Sequence, residues 1–187
     1  MSTDTRGRHT ESIHCRSTLF SIGVWTILRI AKEASSQLPS RGLVSVEACI
    51  NDVSFRTVLE PDGKGSHWLS VDKALQDSCG IQAGEAVELK LTPLTDWPEP
   101  EVPEDLEKAL MLDPGVFALW KDITPLARWD WIRWIRSTQN RETRMRRIDA
   151  ARDKMAKGER RPCCFNRNMC TEPEVSRSGV LLDHPKE

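Results

Sequence analysis

The chain has 187 residues, 39% of them hydrophobic and 29% charged, with a net charge of -1. That length suits one domain or two small ones, and the composition is too apolar for a disordered chain. With almost no net charge, no global field draws the protein to nucleic acid or to a membrane surface.

In chain order, residues 1–16 read as a disordered, polar N-terminus without the apolar core of a signal peptide. The most apolar run, Leu19–Ala31, is 13 residues long and contains Arg29. It falls short of the roughly 20 residues a bilayer-spanning helix needs. Residues 17–93 are β-rich. Phe20, Ile22 and Val24 alternate, and the apolar phase then shifts through Trp25 and Ile27. Leu43–Ile50 and Val53–Leu59 predict two strands joined at Asn51-Asp52. Pro61-Asp62-Gly63-Lys64-Gly65 is a turn cluster, and a short strand through Trp68, Leu69 and Val71 follows. Asp72 caps a brief helix that Gly80 ends, and Val87, Leu89 and Leu91 alternate along a last strand.

Residues 94–103 form an acidic, proline-rich linker, which favours extended backbone. Helices are predicted over 104–161: one begun by Pro103, one by Asp113-Pro114, one by Thr124-Pro125, and one capped by Asn140 and ended at Gly158. Residues 162–187 have no periodicity and read as a flexible tail carrying Cys163, Cys164 and Cys170.

Charge is uneven along this order. Leu94–Val116 holds seven acids and one base, a net of -6, whereas Leu126–Cys170 holds thirteen bases and five acids, a net of +8. Attraction between the two within one fold is the plainest reading, and a basic docking face for an anionic partner is the sharper one. Arg144 and Arg147 share a helix face, with Arg141 nearby, and arginine pairs bidentately with carboxylate or phosphate. Trp120, Trp129, Trp131 and Trp134 fall too close together for one face to bury all of them. Arg141, Arg144, Arg147 and Trp134 are therefore the candidate anion- or partner-binding residues.

Catalysis and cofactors find little support. Ser66, His67 and Asp62 lie together in sequence, but neighbouring strand residues point to opposite faces, so they make no triad. The spacing of Cys163, Cys164 and Cys170 is not a structural zinc pattern, and their thiols read as reduced, with a redox role as the alternative. No catalytic residue, metal or cofactor is expected, and the cysteine usage suggests a cytoplasmic protein.

Four segments resemble a known family: Val102-Pro-Glu-Asp-Leu-Glu-Lys-Ala-Leu, Ile123-Thr-Pro-Leu-Ala-Arg-Trp-Asp-Trp-Ile-Arg-Trp-Ile, Glu142-Thr-Arg-Met-Arg-Arg-Ile and Gly158-Glu-Arg-Arg-Pro-Cys-Cys-Phe. They are similar to the C-terminal region of the YdeI/OmpD-associated family, also labelled bacteriocin-protection proteins. Upstream, Leu59-Glu-Pro-Asp-Gly-Lys-Gly-Ser-His-Trp-Leu and Gly80-Ile-Gln-Ala-Gly-Glu resemble the small β domain of unknown function that precedes it. The resemblance implies an α+β protein: a double-split-type β-barrel, distantly AbrB-like, followed by a helical region. It implies a non-enzymatic binding or stress-protection role. The expected partner is an unknown protein or an anionic ligand, with a homodimer as a further option. A nucleic-acid-binding regulator is the second reading, and an enzyme acting on a small anionic ligand the third.

Overall fold

The computed structural model describes residues 11–163, 165–172, 176–177 and 179–182. Its first half is a closed barrel of six antiparallel strands in the order β1-β2-β5-β4-β3-β6. Strands β1 (Ile13–Ile22) and β2 (Trp25–Arg29) form a hairpin turned at Gly23, whose φ is +56°. The shift in apolar phase near Trp25 is that turn. Strands β3 (Val44–Ile50) and β4 (Val53–Pro61) meet at Asn51 and Asp52, with φ of +47° and +65°. Two left-handed residues match the twist of a tight hairpin, and Asn and Asp tolerate that conformation best after glycine. Between β2 and β3 lies a short helix, α1 (Lys32–Ser36), which the sequence pattern does not predict.

Strand β5 (His67–Ser70) leads to α2 (Lys73–Cys79) and then to β6 (Ala86–Pro93). Asp72 Oδ1 accepts from Leu75 N at 2.8 Å, and Gly80 ends the helix at φ +63°. β6 closes the barrel by pairing with β1 and β3, setting Leu91 against Ala48 and Leu89 against Ile50. Leu19, Leu28, Val46, Leu59, Leu69 and Leu89 fill the interior and are fully buried.

Four helices make the second half: α3 (Glu104–Met111), α4 (Pro114–Asp122), α5 (Pro125–Arg136) and α6 (Arg141–Ala156). The last three are capped as the sequence predicts. Asp113 Oδ1 accepts from Gly115 N, Thr124 Oγ1 from Ala127 N and Asn140 Oδ1 from Thr143 N. Their shared core holds Leu106, Leu110, Trp120, Trp131, Ile135, Ile148, Ala151 and Met155. The protein is thus α+β, a small barrel followed by helices. No helix among the described residues is long and apolar enough to cross a membrane.

Two expectations need correction. Of the N-terminus predicted to be disordered, residues 1–10 lie outside the described residues, but Ile13–Arg16 belong to β1 and pair with β6. A polar stretch is ordered there because the edges of β6 offer it a full ladder of backbone partners. The tail predicted to be flexible is likewise docked where it is described. Cys170 and Leu181 cover Phe20, Ile22, Ile27 and Trp68 on the outside of the barrel. Leu181 N donates to Asp62 O at 2.8 Å, and β7 (Ser176–Arg177) pairs with β8 (Val180–Leu181). This strap is ordered by long-range contacts that a periodicity search does not see.

Gly63 tests the strap. Its φ is +77°, and a Cβ there would stand 2.1 Å from the Gly179 carbonyl oxygen. Gly63→Ala is expected to destabilise by more than about 1 kcal/mol, from backbone strain and from displacement of the strap. Urea unfolding would check this, and a loss below a few tenths would mean the strap does not sit against this turn.

Candidate functional site

The arginines of α6 do not act as one stripe. Arg144 leaves toward α3, where Nε and Nη2 donate to Asp105 Oδ2 and Oδ1 at 2.7 and 2.9 Å. This bidentate pair holds the Asp105 carboxyl below its ordinary range. Arg146 is exposed and pairs with Glu142 one turn earlier. Arg141 is exposed and has no ion pair among the described residues. The acids of the linker also pair with Arg128 of α5, through Glu99 at 2.7 Å, and with Arg56 of β4, through Asp96 at 2.8 Å.

Arg147 differs from all of these. It is half-buried and reaches the C-terminal end of α5, where Nη1 donates to Trp134 O and to Ser137 Oγ, both at 2.7 Å. Those contacts satisfy a carbonyl that a helix end leaves without an intrahelical partner. The guanidinium carbon also lies 5.7 Å from the centre of the Trp134 ring. Trp134 in turn packs edge-on against Trp131 at 5.9 Å. Burial pushes the Arg147 pKa down, and no carboxylate faces it among the described residues.

Arg147 and Trp134 line a cleft of about 650 Å³. One wall is the α5–α6 turn with Ser137, Thr138 and Asn140, and the other is the strap with Phe165, Asn166 and Met169. Arg147 is the one charged side chain among the described lining residues. Of the sequence candidates, then, Trp134 and Arg147 come together, while Arg144 is spent on Asp105 and Arg141 lies apart.

Beneath the strap sits a buried ionic cluster. Arg136 Nη2 donates to both Glu60 oxygens at 2.5 and 2.6 Å, and its Nη1 lies 2.8 Å from Glu172. Burial opposes charge on Arg136, but Glu60 and Glu172 outweigh it and raise its pKa. Arg133, fully buried, donates to the carbonyls of Arg167 and Met169 at 3.2 and 2.8 Å and stacks on Phe165 at 5.4 Å. These contacts join barrel, α5 and strap, and they set the strap wall of the cleft. Sequence reasoning missed Glu60, Arg133, Phe165 and Glu172, because isolated charges in unrelated segments carry no spacing signal.

A second cleft, of about 690 Å³, lies between barrel and linker, with Trp25 and Trp129 beside Glu101 and Glu107. Cys163 is exposed, with Lys154 Nζ 3.1 Å from its sulfur, whereas Cys170 is buried and its thiol pKa is raised chiefly by burial. Cys164 lies outside the described residues. No group of three His, Cys, Asp or Glu residues able to hold a metal occurs among the described residues.

Ser66, His67 and Asp62 serve the turn. Asp62 Oδ1 accepts from the backbone N–H groups of Lys64 and Ser66, and Ser66 Oγ donates to Ile30 O. His67 is fully buried. Its Nε2 lies 2.8 Å from Gly42 O and its Nδ1 2.7 Å from Ser35 Oγ. A carbonyl only accepts, so Nε2 carries the proton and Nδ1 accepts from Ser35. Burial lowers the His67 pKa below its usual 6.5. The unfolded chain therefore binds more protons than the native one between those two values. Stability should fall as pH drops below about 6.5 toward the lowered pKa and level off beneath it. Urea unfolding from pH 7.5 to 4.5 checks this, and a His67→Gln variant that still folds should lose that share of the slope.

With this geometry in hand, comparison with known proteins places the chain. Residues 99–158 match the family described as bacteriocin-protection, YdeI or OmpD-associated. The helical part of the chain is thus identified with that family. Residues 16–91 match a domain of unknown function (DUF1905). Comparison with curated proteins gave no match. Among solved structures the chain is similar to the solution structure of PHS018 from Pyrococcus horikoshii, at 18% identity over 46% of this chain and 96% of that one. The TM-score is 0.33, a likeness too distant to bear on function. The α5–α6 turn and the strap frame the Arg147 cleft, and the barrel meets the strap at Asp62 directly and at Glu60 through Arg136.

Proposed function

We propose that this YdeI/OmpD-associated protein is a binding protein that receives a small anionic ligand in the cleft between the α5–α6 turn and the strap. One observation carries the reading: Arg147 is a half-buried cation whose protein partners are a carbonyl, a hydroxyl and an indole. A desolvated charge is costly until an opposite charge meets it, and none of the described lining residues supplies one. Trp134 adds an aromatic surface beside the cation. A protective role of the kind the family description names would operate by holding such a ligand. The basic run of α6 serves nucleic acid less well, since Arg144 and Arg146 are already paired with Asp105 and Glu142.

A panel of small carboxylates, phosphates and neutral analogues, screened by ligand-observed NMR, tests this. Anionic members should bind, and Arg147→Gln should weaken them at least about tenfold, the loss of one charge-assisted bidentate contact. Arg141→Gln should leave them unchanged. Equal binding by the Arg147 variant would contradict the reading, and so would salt-sensitive retention of DNA that depends on Arg141 and Arg144.

A further inference from the structure

The cleft also constrains the chemistry of its ligand. From its contents we infer that it takes a small aromatic monocarboxylate with hydrogen-bonding groups along its body. This rests on the anion-binding reading of the same cleft.

Three features select that class. The first is the unused edge of Arg147. Nη1 is held by Trp134 O and Ser137 Oγ, which orients the guanidinium plane. Nη2 and Nε have no hydrogen-bond partner among the described residues. These two nitrogens form the fork that meets two oxygens of one planar anion. The second is charge. One cation and no acid line the cleft among the described residues, so a single negative charge is matched. A phosphomonoester, with a charge near -2 at neutral pH, would keep about one charge uncompensated beside apolar walls. The third is the lining. Trp134 and Phe165 offer aromatic surface, Met169 a pliable apolar contact, and Asn140 and Asn166 polar edges. An aromatic body matches the first three by stacking and packing, and an amide or hydroxyl along it matches the last two. A volume of about 650 Å³ lies within the range of small-molecule sites, about 300–1,000 Å³, and exceeds what a simple inorganic anion fills.

N-acetyl-phenylalanine, its neutral amide N-acetyl-phenylalaninamide, and phenyl phosphate make a direct test by calorimetric titration against the full chain. The carboxylate should bind with a Kd in the micromolar to low millimolar range, with the amide and phenyl phosphate each at least about tenfold weaker. Arg147→Lys, which keeps the charge but loses the fork, should weaken the carboxylate about tenfold while changing the amide little. If phenyl phosphate binds more tightly and depends on Arg147, the carboxylate assignment fails and the anion-binding cleft stands. If the carboxylate and amide bind alike, or the carboxylate does not bind below about 10 mM, the assignment fails. If no anion in the wider panel responds to Arg147 either, the cleft reading fails with it. Should Arg147→Lys not fold by circular dichroism, the comparison of acid with amide on the wild-type chain decides the matter alone.

Discussion

Arg136→Ala should lower stability by about 3–5 kcal/mol, the cost of stripping the partner from a buried charge cluster. Arg136 is 20% exposed at its side chain, and Glu60 and Glu172 are 11% and 8% exposed, so water would not readily take its place. Without it Glu60 keeps Arg133 at 3.8 Å but loses its closest cation, Glu172 loses its ion pair to Arg136, and the strap loses a tie to the barrel. Urea unfolding measures the loss. Adding Glu60→Gln should recover part of it, because a buried charge that has lost its closest partner is then removed, and a double-mutant cycle should show coupling above about 1 kcal/mol. A loss under about 1 kcal/mol would show that the cluster is solvated and that the strap is held by its apolar contacts alone. The same variant should speed proteolysis near residues 165–172, which reports on the strap rather than on the barrel.

Trp131→Ala should cost about as much, about 3–5 kcal/mol, through a different mechanism. Trp131 is fully buried at the centre of the helical core, and its Nε1 donates to Arg160 O at 3.2 Å. Truncation leaves a cavity among Ile135, Ile148 and Met155 and strands that carbonyl. Trp131→Phe should cost less, since most of the volume remains. Trp134 leans edge-on against Trp131, so both changes should also loosen the cleft. Chemical denaturation together with binding of the carboxylate probe would separate the two effects. If Trp131→Ala is mild, the helices do not pack around this residue as described.

Much of the framework was legible because local chemistry and tertiary structure agree. Asp72 and Gly80 bracket α2, Thr124 with Pro125 opens α5, and Asn140 caps α6, each through a side-chain or backbone requirement confined to a few residues. Asn51-Asp52 likewise announces the β3–β4 hairpin. Helix α1 was not legible: it is five residues long, and Ala31 gives it no side-chain cap. The strap was not legible either, because its residues are polar and aperiodic and are ordered by Arg133, Arg136 and Asp62, which stand far away in sequence.

The site divides in the same way. Residue types pointed to Arg141, Arg144, Arg147 and Trp134 as a group, and helix spacing put Arg144 and Arg147 on one face. Their partners separate them. Asp105 on α3 occupies Arg144, while the end of α5 positions Arg147 without neutralising it. That difference lies in the helix crossings, which no local pattern encodes. Phe165 and Asn166 complete the cleft only because the strap returns to it.

The most direct test of the cleft follows backbone and indole N–H signals in an assigned ¹H–¹⁵N NMR spectrum while N-acetyl-phenylalanine is added. The account predicts that the Trp134 indole and the amides of Ser137–Asn140 and Phe165–Asn166 shift together and saturate with one Kd, and that Arg147→Gln abolishes the response. Shifts confined instead to the outer face of α6 around Arg141 and Arg144, or to the acidic cleft at Trp25 and Glu101, would contradict it.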